Sequence, residues 1–184
     1  VDGTVSQIGK IEDGNLIQAK GITYTLDAFL NHDEKMIQRF KNGTFLTIYL
    51  SPKDYHRVHV PLDGEVSQTT YVPGKLFPVN EWGVQRVPGL FTQNERLISY
   101  LETKAGTVGI AKVGAFIVGS VKVAYSQDTT NVKKGMAYST TWEKPTPFAK
   151  GDELGLFRFG STVILLFEPG ALKVNRGIAV GNTI

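Results

Sequence analysis

The chain has no cysteine, which excludes disulfides, thiolate metal sites and a cysteine nucleophile. Any nucleophile must therefore be oxygen or nitrogen. Long apolar runs are also missing: the longest, 113–121 with its glycines and 163–167, fall far short of the roughly 20 residues that cross a bilayer as a helix. There is little excess of charge, 20 Lys and Arg against 17 Asp and Glu for a net +3. The basic residues form no cluster of the kind that tracks a phosphate backbone, so no nucleic acid is expected as a partner. A mild attraction to anionic lipid headgroups fits the excess equally well. Three histidines without cysteine offer no convincing ligand set, and no GxxxxGK[ST] loop is present, so neither metal nor nucleotide is expected. The opening Val1-Asp2-Gly3 begins no signal-peptide or transit-peptide pattern. The expectation is a trimmed chain whose native N-terminal membrane-binding segment lies upstream.

What is present is β-type sequence. Short runs rich in Val, Ile, Thr and Phe recur at 5–11, 16–19, 44–50, 108–113, 115–123 and 162–167, punctuated by 20 glycines and eight prolines. That pattern favours strands joined by turns over helical bundles. Asp13-Gly14, Asn42-Gly43, Lys134-Gly135 and Lys150-Gly151 read as strand connections rather than domain linkers. One helix is predicted over 26–40, where Leu26, Phe29, Leu30, Met36, Ile37 and Phe40 can share a face, with a split at Asn31-His32-Asp33. The 184 residues lie within the usual span of one domain. The predicted fold is mainly β, a β-rich α+β class: glycine-punctuated antiparallel sheets in a single barrel-sandwich-like domain with one or two short helices.

Three places could carry chemistry. His56 and His59 stand three apart in Ser51-Pro52-Lys53-Asp54-Tyr55-His56-Arg57-Val58-His59. On a regular strand they would face opposite sides. Ser51 as N-cap, Pro52 at the first helical position and Asp54 in a capping box would instead begin one helical turn, on which they share a face. From spacing alone, two packing or surface imidazoles remain the simpler alternative. Gly160-Ser161 opens the apolar run 162–167; by composition it is a turn before a buried strand, yet a glycine leaves its carbonyl open to attack and tolerates strain. Asp2-Gly3 is most simply a turn, although an aspartate can orient a histidine in a nucleophile-base-orienter set. His32 reads as a solvated loop residue.

In combination these segments resemble the phosphatidylserine decarboxylase family, in order along nearly the whole chain. The residues that carry the resemblance are Asp2-Gly3, Asn42-Gly43-Thr44-Phe45, Leu50-Ser51-Pro52 with Asp54-Tyr55-His56-Arg57-Val58-His59, and Tyr71-Val72-Pro73-Gly74 with Leu76-Phe77 and Val79-Asn80. They continue with Leu90-Phe91, Asn94-Glu95-Arg96, Val113-Gly114-Ala115, Val118-Gly119-Ser120 and Gly160-Ser161-Thr162. The Ser-Pro-x-Asp-Tyr-His-Arg-x-His string together with the late Gly-Ser-Thr is the specific part. Phe159 departs from the leucine or glycine more usual there, and leaves the scissile atoms unchanged.

The resemblance implies a self-processing carboxy-lyase. Ser161 would attack the Gly160 carbonyl with His59 as base and Asp2 orienting His59. Elimination and hydrolysis would then turn Ser161 into a pyruvoyl cofactor at the head of an α subunit, 161–184, with 1–160 as the β subunit. The pyruvoyl group would form a Schiff base with phosphatidylserine, carbon dioxide would leave, and His56 would return a proton to give phosphatidylethanolamine. The implied partners are phosphatidylserine in a membrane and the chain's own cleaved fragment, as a β/α heterodimer or a dimer of these. The implied place is peripheral, on the cytoplasmic face of the cell membrane. Two alternatives stay open: the same chemistry on another serine phospholipid, or a non-catalytic β-rich binding module in which Gly160-Ser161 is only a turn.

Overall fold

The computed structural model describes residues 1–116, 120–127, 130, 135–157, 161–174 and 177–184. Gly160, with Arg158 and Phe159, lies outside the described residues, as do Val118 and Gly119. The chain opens with strands β1 (Thr4–Lys10), β2 (Asn15–Ala19) and β3 (Ile22–Thr25), then helices α1 (Leu26–Phe29) and α2 (Glu34–Phe40). β4 (Thr44–Leu50), β5 (Arg57–His59) and β6 (Gly64–Val72) precede α3 (Glu81–Arg86) and α4 (Leu90–Gln93). The remaining strands are β7 (Arg96–Thr103), β8 (Gly106–Val113), β9 (Val121–Val123), β10 (Tyr138–Phe148), β11 (Glu153–Phe157) and β12 (Ser161–Phe167).

The strands form a seven-stranded sheet in the order β1-β4-β12-β8-β7-β6-β10, a three-stranded sheet β5-β11-β9 and a β2-β3 pair. All ladders are antiparallel. The mainly-β expectation holds, with two differences. The large sheet stays open, with β1 and β10 at its edges, and among the described residues there are four short helices where one or two were expected. The β1 edge is covered by the chain's end: Val5 N–H donates to Asn182 O and Gly3 N–H to Ile184 O, both at 2.9 Å.

β12 is central because its side chains are apolar on both faces. Val163, Ile164, Leu166 and Phe167 are all buried, as a strand covered by layers on both sides requires. One face of the sheet packs under the helices, where Arg96 donates to the α1 carbonyls of Ala28 (2.7 Å) and Phe29 (2.9 Å) and to Thr92 O and Asn94 O. These bonds satisfy carbonyls that the short helices leave unpaired. Burial lowers the Arg96 pKa to about 10. The predicted split of 26–40 occurs: Asn31 and His32 have φ of 55° and 61°, and Asp33 caps α2 by accepting from Met36 N–H. His32 is exposed and lies 2.9 Å from Asp27. Among the described residues of 115–123, β9 is the strand, and 51–54 is a β-turn rather than a helical turn. There Asp54 N–H donates to Ser51 O while its carboxylate accepts from Ser51 N–H at 2.8 Å. Only the Asp54 half of a capping box is therefore present, because Ser51 Oγ has no partner among the described residues, and no helix follows.

Candidate active site

The register of the seven-stranded sheet decides what stands near Ser161. Thr162 pairs with Tyr49 on one side and Val113 on the other, Thr4 pairs with Tyr49, and Val113 pairs with Arg96. One residue beyond that row lie Gly3, Leu50, Ser161, Gly114 and Glu95, side by side at one end of the sheet. Gly3 is required there by close approach, because a Cβ would meet Tyr49 O at 2.6 Å. Asp2 therefore sits at the Ser161 end, separated from Ser161 by β4, or about 10 Å at two interstrand spacings. It is exposed and makes no hydrogen bond or ion pair among the described residues.

Ser161 is fully buried. Its Oγ has no hydrogen-bond partner among the described residues, a condition it shares with the buried hydroxyls of Thr47, Ser51 and Thr162. It shares a face of β12 with Val163, since side chains alternate along a strand.

The two histidines part company. His56 O accepts from Phe157 N–H at 2.9 Å, which pins His56 to the end of β11 that leads toward Ser161. Its Nε2 is also buried and without a partner among the described residues. His59 is opposite Glu153 at the other end of β11. Its ring stacks on Tyr55, with centroids 5.6 Å apart and planes 10° off parallel. Its Nδ1 is 2.7 Å from Gly151 O and its Nε2 is 2.8 Å from the Tyr55 hydroxyl. A carbonyl only accepts, so Nδ1 carries the proton, and Nε2 of the neutral ring accepts from Tyr55. Gly151 has φ of +92°, a conformation that glycine adopts without strain; this aims its carbonyl at His59. The strand reading of the histidines thus applies: His56 faces inward with Val58 and Val60, while His59 and Arg57 face outward, Arg57 paired with Glu153. No hydrogen bond links Asp2, His59 and Ser161 in this arrangement. Tyr55 and Gly151, the partners of His59, were given no role by the sequence reading. Tyr55 was legible as an aromatic beside the histidines, but Gly151 is 92 positions from His59 and left no local signal.

The interior beside Ser161 holds a second unassigned group. Lys112 pairs with Val163 across β8 and β12 and is fully buried. Its Nζ donates to Ser99 Oγ at 2.6 Å and Ile110 O at 3.3 Å, and the Tyr125 hydroxyl bridges Ser99 Oγ and Thr69 Oγ1. Desolvation lowers its pKa from 10.5 to about 7. Below pH 7 the folded protein must hold a buried ammonium, at full cost. Between pH 7 and 10.5 the unfolded chain binds more protons, so stability rises with pH and the cost fades. Lys112→Met is therefore expected to raise the melting temperature by about 5 °C or more at pH 6, with a gain that shrinks toward pH 10. Equal gains at both pH values in thermal melts would contradict a buried, depressed lysine.

Among the described residues no three His, Asp or Glu side chains converge on a metal-sized site, and no helix is long and apolar enough to cross a membrane. The family profile that matches, phosphatidylserine decarboxylase, covers residues 1–184. The phosphatidylserine decarboxylase proenzyme of Brevibacillus brevis is 46% identical over 185 residues, covering 100% of this chain and 66% of that protein. The proenzyme of Anaeromyxobacter sp. is 49% identical over 183 residues, covering 98% of this chain and 64% of that protein. That of Salmonella arizonae is 44% identical over 183 residues, with 97% and 57% covered. The chain thus spans somewhat less than two thirds of the length of these relatives. With a profile match end to end and relatives 44–49% identical over nearly its whole length, the chain belongs to the phosphatidylserine decarboxylase family.

Proposed function

We propose that this chain is the self-processing catalytic part of an enzyme that decarboxylates phosphatidylserine to phosphatidylethanolamine. The observation that carries the reading is Ser161: a fully buried hydroxyl without a partner, at the head of a central strand, in a chain of this family. Other buried hydroxyls here, such as Thr47 Oγ1 and Thr162 Oγ1, are also without a partner among the described residues, so it is the family's Gly-Ser step at this position that singles out Ser161. A nucleophile that is to attack the carbonyl just before it must leave that hydroxyl uncommitted.

In the first step the Ser161 Oγ–Gly160 C bond forms and the Gly160–Ser161 amide breaks, so an ester replaces it and the Ser161 nitrogen becomes a free amine. His59 takes the hydroxyl proton, with Asp2 as orienting carboxylate. Its Nδ1–H tautomer leaves Nε2 as the accepting atom. Tyr55 now occupies that atom, so the Tyr55 contact must be exchanged before His59 reaches Ser161. Elimination next breaks the Ser161 Cβ–Oγ bond and leaves a carboxylate on Gly160. Water replaces the nitrogen of the remaining dehydroalanine, and ammonia departs. The products are 1–160 and a fragment 161–184 that starts with a pyruvoyl group.

That group supplies a carbonyl for the substrate amine and a sink for the electrons left as the carboxylate departs. The Ser161 position fits it: the residue is fully buried at the head of β12, and its Oγ, which would leave with Gly160 while Cα becomes the ketone carbon, is tied to no partner among the described residues. His56, with a buried and free Nε2 on the strand end leading to Ser161, is the group that returns a proton to the substrate α-carbon. The fragment 161–184 stays bound because β12 is held between β4 and β8, so the cut halves act as one domain without metal, as a peripheral membrane protein on the cytoplasmic face. Carboxyl-labelled phosphatidylserine should release carbon dioxide with the purified chain and none with Ser161→Ala. Release from another serine phospholipid alone would shift the substrate, and no release from a cut chain would overturn the reading.

A further inference from the structure

The end of the seven-stranded sheet that carries Ser161 has an unusual surface. Its row runs Gly3, Leu50, Ser161, Gly114, Glu95, Pro73 and Met136, by continuing the ladders one residue past Thr4, Tyr49, Thr162, Val113, Arg96 and Val72. Met136, just before β10, is 84% exposed, and Phe116, two residues past Gly114, is 67% exposed; they are the two most exposed large apolar side chains described. Around them stand Lys53 in the 51–54 turn, Lys75, whose ammonium lies over the Phe77 ring at 5.1 Å, and Lys122 opposite Leu156 near the end of β11. All three lysines are exposed and none forms an ion pair among the described residues. Asp2, Asp54 and Glu95 are acids at this end; Asp54 is engaged by Ser51 N–H, and Glu95 is buried and accepts from the Tyr71 hydroxyl. The opposite end of the sheet is different in kind: Arg39 pairs with Glu102 there at 2.6 Å, and Lys10, Glu65 and Lys104 are exposed.

We infer that the Ser161 end of the sheet is the face that docks on an anionic phospholipid bilayer, with Phe116 and Met136 entering the headgroup layer and Lys53, Lys75 and Lys122 meeting anionic headgroups. Exposed apolar side chains at the same end as cations that form no ion pair among the described residues suit such a surface, which offers both apolar depth and negative charge. Docking in this orientation brings Ser161 to the headgroup plane, so a lipid can present its headgroup without leaving the bilayer. The inference rests on the proposed function only for the choice of lipid as occupant.

The test is co-sedimentation of the whole chain with vesicles of phosphatidylserine and phosphatidylcholine, and of phosphatidylcholine alone. Wild type should bind the anionic vesicles, less so at high salt. Phe116→Ser with Met136→Ser should weaken that binding by at least about tenfold. A matched pair at Ile17 and Val174, exposed residues on β2 and past β12, should change it little when both become Ser. Lys53→Glu with Lys75→Glu should remove the preference for anionic vesicles and serves as the second variant should the apolar pair fold poorly, as judged by thermal melts. Equal binding by wild type and both Ser161-end variants, equal loss in the Ile17/Val174 pair, or no binding by wild type would each overturn the docking face; the last would fit coverage by another protein segment. The intact mass of the same samples separates this from the functional reading: a cut chain that ignores vesicles defeats the surface alone, and an uncut chain that binds them defeats the self-processing alone.

Discussion

Replacing His59 by alanine is expected to leave the chain in one piece. A serine hydroxyl is a poor nucleophile until a base takes its proton, and such help is typically worth about a hundredfold to ten-thousandfold. Lost at that scale, self-cleavage should drop from complete to undetectable within a preparation. The substitution should cost little stability, because the His59 ring is half-exposed and its partners, Gly151 O and the Tyr55 hydroxyl, can turn to water. An intact mass together with an unchanged melt would therefore locate the loss in chemistry. A His59→Ala chain that is cut normally would remove His59 from the processing step and favour a base closer to Ser161.

His56→Ala is expected to do the reverse: a normally cut chain that no longer decarboxylates, with turnover reduced by about a hundredfold or more. The contrast follows from where the two rings point. His56 turns inward with a free Nε2 beside the strand end that leads to Ser161, whereas His59 points outward and both of its nitrogens are occupied. Product formation by cut His56→Ala protein is the readout. Wild-type turnover there would show that another group, or water, returns the proton.

Strands β1, β4, β8 and β12 were legible because each is a β-branched or apolar run bounded by glycine or polar turns. β6 and β10 were not: β6 is Gly-Glu-Val-Ser-Gln-Thr-Thr-Tyr-Val and β10 contains Pro145 and Pro147. Those prolines are tolerated because β10 is an edge strand, where a missing N–H need not break a ladder, and sequence alone does not say which strand will be the edge. β7 begins with Arg96, a charge that looks exposed until its four carbonyl partners appear. Lys112 misleads in the same way, as a cation inside a β8 otherwise buried along its length. For the site, the family resemblance supplied Asp2, His56, His59 and Ser161, and strand alternation supplied one of the two open geometries for the histidines. The capping-box signal at Ser51 and Asp54 was half realised, in the Asp54 carboxylate on Ser51 N–H, and the pairing of β5 with β11 made the following residues a strand. The Gly151 contact depends on that same long-range pairing.

The most direct measurement is the intact mass of the purified chain, with and without cyanoborohydride and an amine. Self-processing at Ser161 predicts two species, 1–160 and 161–184, the smaller one ammonia lighter than the same fragment with an N-terminal serine and gaining the amine on reduction. One uncut mass with Ser161 unchanged, inert to the amine, would contradict self-processing and leave a β-rich binding module.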